Sequence, residues 1–225
     1  MKTGQKLIYA TFVALLVTSF VLSHPIRALA DEMARLAASA EEIQPVQTGE
    51  MAPGFIVRTV DDEPFVFDPE NLDAPTILIT FRGGWCPYCN MHLSELRNVM
   101  PELKDKGIDV YFLSGDRPEL LYSSLKLETQ EAIDGLGYTI LSDASIDAAM
   151  ALGIAFKASD ATIKSRLDKD QDIDGSSMLN FQVLPVPAVY MVDKSGRVVY
   201  SFVEANYKVR LPAEDLLKAA EELND

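Results

Sequence analysis

The stretch ITFRGGWCPYCNMHLSEL, residues 79–96, contains both cysteines of this 225-residue chain. An apolar, β-branched run from Thr76 to Phe81 overlaps its start and is typical of a strand covered on both faces. Gly83-Gly84 ends that strand. From Pro87 the apolar residues follow helical spacing, and a first helical turn tolerates proline. The sequence therefore predicts Cys86 at the junction between a buried strand and a helix.

A cysteine at such a junction lies where unpaired backbone N–H groups and the helix dipole favour negative charge. These settings lower the thiol pKa and make the first cysteine of a CxxC pair nucleophilic near neutral pH. Cys89 follows one helical turn later and can attack an adduct formed on Cys86, releasing it as a disulfide. We therefore predict Cys86 as nucleophile and Cys89 as resolving thiol. A structural disulfide is a weaker interpretation, because closing a four-residue loop stabilises by only about 2 kcal/mol.

Strand and helix patterns alternate along the rest of the chain. Phe55–Val57 and Phe65–Phe67 flank a turn near Asp61–Glu63 and predict a hairpin, and Pro101 should kink the helix that follows Pro87. The alternation predicts an α/β fold with a mixed central sheet and helices on both faces. The further predicted elements are strands at Asp109–Leu113, Tyr138–Leu141, Ala188–Val192 and Val198–Val203, and helices at Pro118–Ile133, Ile146–Leu152 and Ala213–Leu223.

Residues 1–30 have the pattern of a secretory signal peptide. Lys2 and Lys6 precede the uncharged stretch Leu7–Leu22, and Ala28-Leu29-Ala30 offers a small-residue cleavage site. An uncleaved membrane anchor is the alternative, because the apolar stretch is only slightly shorter than a typical membrane span. Cleavage predicts a periplasmic or secreted protein without stable membrane association.

The charge balance narrows the choice of partners. Removing residues 1–30 takes away three basic and no acidic residues, so the formal charge changes from −14 to −17. Such acidity argues against nucleic acid and anionic lipid as partners. Residues 31–48, rich in Ala and Glu, are predicted as a short helix or flexible arm. No repeat or long linker divides residues 49–225, so we expect one domain there.

Two stretches carry a family resemblance: FRGGWCPYCNMHLSEL, residues 81–96, and LPVPAVYMVDKSGRVVYSFVEANY, residues 184–207. They resemble the alkyl hydroperoxide reductase/thiol-specific antioxidant family of the thioredoxin superfamily, in particular its peroxiredoxin-like WCPYC members. The resemblance runs from about Met51 to Leu217. It implies a thioredoxin-like fold, no bound cofactor, a peroxidatic cysteine at Cys86, and a cis peptide bond at Val186–Pro187 facing the CxxC pair.

One position departs from this family. Its members typically carry Thr or Ser three residues before the reactive cysteine, where the hydroxyl orients the peroxide, but this chain has Gly83. Displacing an oxygen from a peroxide needs donors aimed at the developing negative charge. The candidates are backbone N–H groups near Gly84 and Trp85 and the guanidinium of Arg82, which is equally well explained as a solvated side chain. Two weaker candidates for the family's active-site arginine are Arg197 and Arg210.

Two patterns suggest a metal site, but we predict none. His92 and the two cysteines fall short of a closed zinc site, and we interpret His92 as capping an exposed edge of the helix. The stretch DKDQDIDGSSMLNF, residues 168–181, matches the start of a calcium-binding EF-hand loop, but Phe181 replaces the glutamate expected at position twelve. We predict a solvated acidic loop that flanks the active site.

Three functional hypotheses follow. In the first, an exported thiol peroxidase, Cys86 attacks a hydroperoxide, becomes a sulfenic acid and condenses with Cys89, and a thioredoxin-like protein reduces the disulfide. In the second, a thiol–disulfide oxidoreductase acts on exported proteins and Pro187 shapes a peptide groove. The third, a redox-gated binding or metal-carrier domain, rests on His92 alone. The residues expected to support the cysteines are Gly84, Trp85, Pro187 and Arg82, with Trp85 favoured as a partner-contacting surface.

Overall fold

A seven-stranded mixed sheet forms the centre of residues 36–224, the part of the chain that the computed structural model describes. The strands are β1 (Phe55–Arg58), β2 (Pro64–Phe67), β3 (Thr76–Phe81), β4 (Asp109–Ser114), β5 (Thr139–Ser142), β6 (Ala155–Lys157), β7 (Val183–Pro185), β8 (Ala188–Val192) and β9 (Val198–Val203). In the large sheet they follow the spatial order β2-β1-β5-β4-β3-β8-β9, and β6 pairs with β7 in a separate two-stranded sheet.

Strand β3 lies inside the sheet, as its continuous apolar sequence predicts. It pairs in parallel with β4 and antiparallel with β8, and all six of its residues are buried. Because parallel and antiparallel pairs meet at this strand, the sheet is mixed. The strand ends at Phe81, so the chain leaves the middle of the sheet directly into the Gly83–Gly84 loop.

Helices cover both faces of this sheet. On one face, Ile77 of β3 packs in the same core cluster as Leu93 and Leu216. Leu93 belongs to the helix that follows β3, and Leu216 belongs to the helix that follows β9. On the other face, the Tyr190 hydroxyl of β8 donates to the Leu152 carbonyl just after a short helix. The helices are α1 (Pro87–Leu96), α2 (Met100–Asp105), α3 (Leu127–Ile133), α4 (Asp147–Ala151), α5 (Asp160–Leu167), α6 (Ser177–Asn180) and α7 (Ala213–Ala219).

The predicted kink near Pro101 is present as a break between helices. Helix α1 ends at Leu96, and α2 begins at Met100 with Pro101 in its first turn. Proline lacks an N–H donor, so it fits at the start of a helix and not in its interior.

The predicted helix at Pro118–Ile133 is wrong over its first half. A short 3₁₀ turn, Pro118–Leu120, is followed by irregular chain before α3 begins at Leu127. The Ser124 hydroxyl donates to Asp116, and the Lys126 N–H donates to the Asn90 side chain. These bonds hold the irregular segment against the start of α1, and helical periodicity alone does not reveal them.

The segment before the first strand contains no helix over residues 36–48. The Lys157 N–H of β6 donates to the Ala37 carbonyl at 2.9 Å, and the Val46 N–H donates to the Leu152 carbonyl at 3.1 Å. Residues 36–48, which are part of the predicted helix or flexible arm, are therefore hydrogen-bonded to the rest of the domain and follow an extended course with turns. The predicted signal peptide, residues 1–30, lies outside the described residues. Within residues 36–224, no helix is long and apolar enough to span a membrane.

Candidate active site

Cys86 immediately precedes the first residue of α1, as the sequence predicts. Its backbone is extended (φ −86°, ψ 116°), and its N–H donates to the Gly83 carbonyl across a tight turn. Cys89 lies in the first turn of the helix, and its N–H donates to the Cys86 carbonyl. Both cysteines are free thiols, and each is only 1% exposed. The two sulfurs are therefore together at the strand–helix junction but largely shielded from solvent.

The two thiols have opposite tendencies to ionise. A hydrogen bond from the Cys89 side chain, followed by the Cys89 N–H and the charges of Arg210 and Arg82, lowers the pKa of Cys86 to about 6, although burial opposes the shift. Burial, together with the Cys86 sulfur, raises the pKa of Cys89 well above its ordinary value. Cys86 is therefore the thiol that ionises at neutral pH, and Cys89 keeps its proton.

Two arginines supply positive charge beside the cysteines. Nη2 of Arg210 donates to the Cys89 sulfur at 3.4 Å. The Arg82 guanidinium stacks over the Tyr207 ring, 4.4 Å from its centroid, and burial lowers the pKa of Arg82. Arg82 is therefore part of the site and not a solvated side chain. Arg197 is exposed and donates to the Gly49 carbonyl, so of the two weaker candidates only Arg210 reaches the cysteines.

The Gly84 N–H is not available to a substrate. It donates to a carboxylate oxygen of Asp116 at 2.7 Å, which removes one of the predicted peroxide donors. Four buried side-chain donors have no hydrogen-bond partner among the described residues: Nε1 of Trp85 and Nε of Arg82, Arg166 and Arg210. Unpaired buried donors are costly, and they commonly mark a place where a ligand or water binds. The side chains of Trp85, Arg82 and Arg210 therefore offer unpaired donors at this site.

The helix start is held by two residues that the sequence analysis did not single out. Asn90 donates from its side chain to the carbonyls of Gly84 and Cys86, at 2.6 and 3.0 Å. Asp116, buried two residues after the end of β4, accepts from the Gly84 N–H. A polar residue one turn after Cys86, on the buried side of the helix, is the signal that identifies Asn90. Asp116 is 30 residues away from Cys86 in the chain and has no comparable local signal.

The predicted cis peptide bond at Val186–Pro187 is wrong. This bond is trans, as are all peptide bonds among residues 36–224. The Thr80 hydroxyl donates to the Val186 carbonyl and accepts from the Ala188 N–H, so the polar groups on both sides of Pro187 are paired in this arrangement. Trans is also the intrinsic preference of a bond before proline.

His92 is buried, not at an exposed helix edge. Its Nε2 lies 3.0 Å from the Leu211 carbonyl. Burial, assisted by the charge of Arg210, lowers the pKa of His92 to about 4, so the ring is neutral at pH 7 and Nε2 carries the donated proton. Among residues 36–224 no cluster of three His, Cys, Asp or Glu side chains is placed to hold a metal.

The acidic loop flanks the site, as predicted. The Gln171 side chain donates to the Trp85 carbonyl at 3.3 Å, and Asp172 forms a two-pronged ion pair with Arg117. The Trp85 ring is half-buried beneath the guanidinium of Arg166, 5.1 Å from the ring centroid. Trp85 therefore packs against Arg166 and stays partly exposed, and its role as a partner-contacting surface stays a prediction.

The fold and the CxxC pair define a thiol redox protein of the thioredoxin fold. The AhpC/TSA family matches residues 48–201, so the chain belongs to this family. A mutant of peroxiredoxin 6 from Arenicola marina superposes with a TM-score of 0.61 at 14% identity, covering 80% of this chain and 74% of that chain. Reduced Prx3 from Vibrio vulnificus in complex with H₂O₂ superposes with a TM-score of 0.59 at 18% identity, covering 77% and 98%. These likenesses confirm the predicted fold.

Curated relatives divide between two activities. Thiol-disulfide oxidoreductase ResA from Bacillus cereus is 21% identical over 166 residues, 74% of this chain and 75% of that protein. Peroxiredoxin Bcp from Escherichia coli is 30% identical over 102 residues, 45% of this chain and 60% of that protein. The chain is therefore a thiol-based oxidoreductase by family.

Proposed function

We propose that this protein is a thiol peroxidase that reduces hydrogen peroxide or organic hydroperoxides through Cys86. The observation that carries the proposal is an ionisable sulfur with a pKa of about 6 that is only 1% exposed. A protein disulfide must bring two sulfurs and their backbone into line with the attacking thiolate. A peroxide is small enough to approach a sulfur that is almost covered, so the burial of Cys86 favours the small oxidant.

In the first step the Cys86 thiolate attacks one peroxide oxygen. An S–O bond forms, the O–O bond breaks, Cys86 becomes a sulfenic acid, and the other oxygen leaves as alkoxide or hydroxide that takes a proton from solvent. The leaving oxygen gathers negative charge as the bond breaks. The unpaired N–H donors of Arg82, Arg210 and Trp85 are the groups suited to stabilise that charge.

In the second step Cys89 resolves the sulfenic acid. Its sulfur attacks Cys86, the Cys86–Cys89 disulfide forms, and the sulfenic oxygen leaves as water with the Cys89 proton. The high pKa of Cys89 suits this order, because Cys89 stays protonated while Cys86 reacts first. We propose that a thioredoxin-like protein dithiol then reduces the disulfide by exchange.

A rapid-mixing experiment tests the peroxidase. The reduced protein is mixed with hydrogen peroxide, and disulfide formation is followed by thiol titration and mass. We expect oxidation far faster than that of glutathione, and Cys89→Ser should stop the reaction at the sulfenic acid, which dimedone traps. Cys86→Ser is the matched control and should be inert. A wild-type rate no better than that of glutathione rejects the proposal.

A thiol–disulfide oxidoreductase is the second candidate, favoured by the similarity to ResA over 74% of the chain. The same two cysteines would attack protein disulfides and Cys89 would release the reduced substrate. Insulin reduction at a rate typical of thioredoxins, together with slow peroxide oxidation, would promote this candidate over the peroxidase.

We also propose that the protein is exported and works in the periplasm or outside the cell. The support is the charge and apolar pattern of residues 1–30. A reduced CxxC pair in an oxidising compartment needs a dedicated electron donor. Export therefore fits the proposed thioredoxin-like partner.

A further inference from the structure

Residues 204–212, between β9 and α7, lie against the cysteine pair; we call them the cover segment. Two of its side chains contact the site. Arg210 donates to the Cys89 sulfur at 3.4 Å. The Tyr207 ring contacts the Arg82 guanidinium at 4.4 Å and meets the Tyr88 ring edge to face at 5.6 Å. Tyr88 lies between the two cysteines in the chain, so the cover segment contacts the CxxC motif itself.

The cover segment is anchored at its two ends. At the start, the Glu204 N–H donates to the Pro187 carbonyl at 3.1 Å. At the end, His92 bonds to the Leu211 carbonyl, and the Ala213 N–H donates to the Glu95 side chain at 3.1 Å. His92 and Glu95, which hold the end of the cover segment, both belong to α1. A segment fixed at its ends is able to move in its middle without loss of the fold.

Residues in the middle of the cover segment form hydrogen bonds with one another. The Val209 N–H donates to the Asn206 carbonyl, the Lys208 N–H donates to the Asn206 side chain, and Arg210 donates to the carbonyls of Tyr207 and Val209. Residues 206–209 are exposed on their outer side. The middle therefore has the structure of a small rigid flap that contacts the site through Tyr207 and Arg210.

We propose that the cover segment is a lid that determines which oxidant reaches Cys86, with Tyr207 as the specificity-determining residue. Closed, it admits a peroxide but excludes a disulfide-bearing peptide or protein. The biological role of this lid rests on the proposed peroxidase function.

The chemistry of the site explains how a protein reductant then gains access. The closed lid places Arg210 and Arg82 close enough to repel each other beside Cys86. While Cys86 is a thiolate, its negative charge offsets this repulsion. Disulfide formation removes that charge, and a disulfide sulfur accepts hydrogen bonds poorly. Arg82 lies in the loop that follows β3, whereas Arg210 belongs to the flap. The flap is therefore the part that moves away, and its movement exposes the disulfide to the reductant.

Two reagents of different size test the lid in the reduced protein without peroxide. Iodoacetamide is small, and Ellman's reagent is a bulky disulfide. In Tyr207→Ala we expect the ratio of the Ellman rate to the iodoacetamide rate to rise about tenfold, because access no longer requires opening of the flap. Tyr207→Phe keeps the ring, and Val209→Ala removes an exposed neighbour, so both should keep the wild-type ratio. An unchanged ratio in Tyr207→Ala overturns the lid.

Proteolysis of the wild-type protein tests the opening without any variant. Trypsin cleavage after Lys208 should be several-fold faster in the diamide-oxidised protein than in the dithiol form, with cleavage after the exposed Lys169 as the internal reference. Equal rates in the two forms overturn the redox-dependent opening. Neither assay uses peroxide, so a lid that fails here is distinguishable from a peroxidase that fails against glutathione.

Discussion

The ionisation of Cys86 is the residue-scale property on which the chemistry depends. A thiolate reacts and a thiol does not, so the rate of alkylation by iodoacetamide should rise with pH and level off. With the pKa of Cys86 at about 6, the midpoint of this rise is expected near pH 6, and the rate should already be close to its plateau at about pH 7.5. The ultraviolet absorbance of the thiolate is an independent readout of the same titration.

The contribution of Arg210 to this pKa can be isolated with a matched arginine. In Arg210→Gln the lost positive charge should move the midpoint upward by about one pH unit, since an opposite charge nearby favours the ionised form. Arg197→Gln removes an exposed arginine that bonds to Gly49 instead, and the midpoint should stay in place. Equal midpoints in the two variants would show that Arg210 does not act on Cys86.

Gly83 is the residue at which this chain departs from its family, and the structure explains why a hydroxyl cannot simply be restored there. Gly83 has φ +148°, and a Cβ atom would lie 2.5 Å from both the Asp116 carboxylate and the Trp85 indole nitrogen. We expect Gly83→Thr to destabilise by at least about 2 kcal/mol, from backbone strain and steric overlap together. Urea unfolding of the reduced protein measures this.

Gly107→Ala is the control for strain alone. Gly107 also has a positive φ, +70°, but nothing lies within 4 Å of the added methyl group. Its cost should be about 1 kcal/mol. If Gly83→Thr is no more destabilising than Gly107→Ala, the predicted overlap with Asp116 and Trp85 is wrong.

At the scale of elements, the local sequence pattern predicted a strand or helix correctly where the burial of its residues agrees with the period of its apolar positions. The apolar run of β3 and the helical spacing after Pro87 predicted both elements that position Cys86. The pattern at Pro118–Ile133 misled, because hydrogen bonds from Ser124 to Asp116 and from Lys126 to the distant Asn90 outweigh helix propensity. Elements β6 and β7 have three residues each, too few for a period to be read.

His92 couples α1 to the cover segment, and its burial predicts a dependence of stability on pH. An unfolded histidine has a pKa near 6.5, and burial lowers the pKa of His92 to about 4. Between these values the unfolded chain binds more protons than the folded one. The free energy of unfolding should therefore decrease as pH falls from about 6.5 towards 4, with the loss from His92 on the order of 2 kcal/mol by about pH 4.5.

His92→Gln measures this contribution, because a glutamine amide is able to donate to the Leu211 carbonyl but does not titrate in this range. Buried Asp116 and Asp143 also have shifted pKa values, but they titrate in both proteins and cancel in the comparison. Urea unfolding at about pH 7 and pH 4.5 should show the wild type losing more stability than the variant. Equal losses would mean that His92 is not the group responsible.

At the scale of the whole molecule, the sequence predicted the cysteine pair and several of its neighbours, but not the contacts by which distant parts of the chain reach them. Spacing alone placed Cys86 and Cys89 together. Arg210 lies 121 residues after Cys89, and no local pattern connects the two. Tyr207 reaches Arg82 over a similar distance along the chain. These contacts depend on how β9 and α7 return to α1, so they follow from the fold and not from any motif.

The proposed export of the chain is tested by its mature N-terminus. A signal peptidase recognises small residues before the cut, so processing after Ala30 should leave a protein that begins at Asp31. N-terminal sequencing of protein purified from the periplasm or medium should read Asp-Glu-Met. Ala30→Arg places a large charged side chain next to the cut and should leave the full-length chain attached to the membrane, whereas the conservative variant Ala30→Ser should be processed normally. A full-length wild-type protein found only in the cytoplasm would contradict export, and it would place the proposed reductant among cytoplasmic dithiols instead.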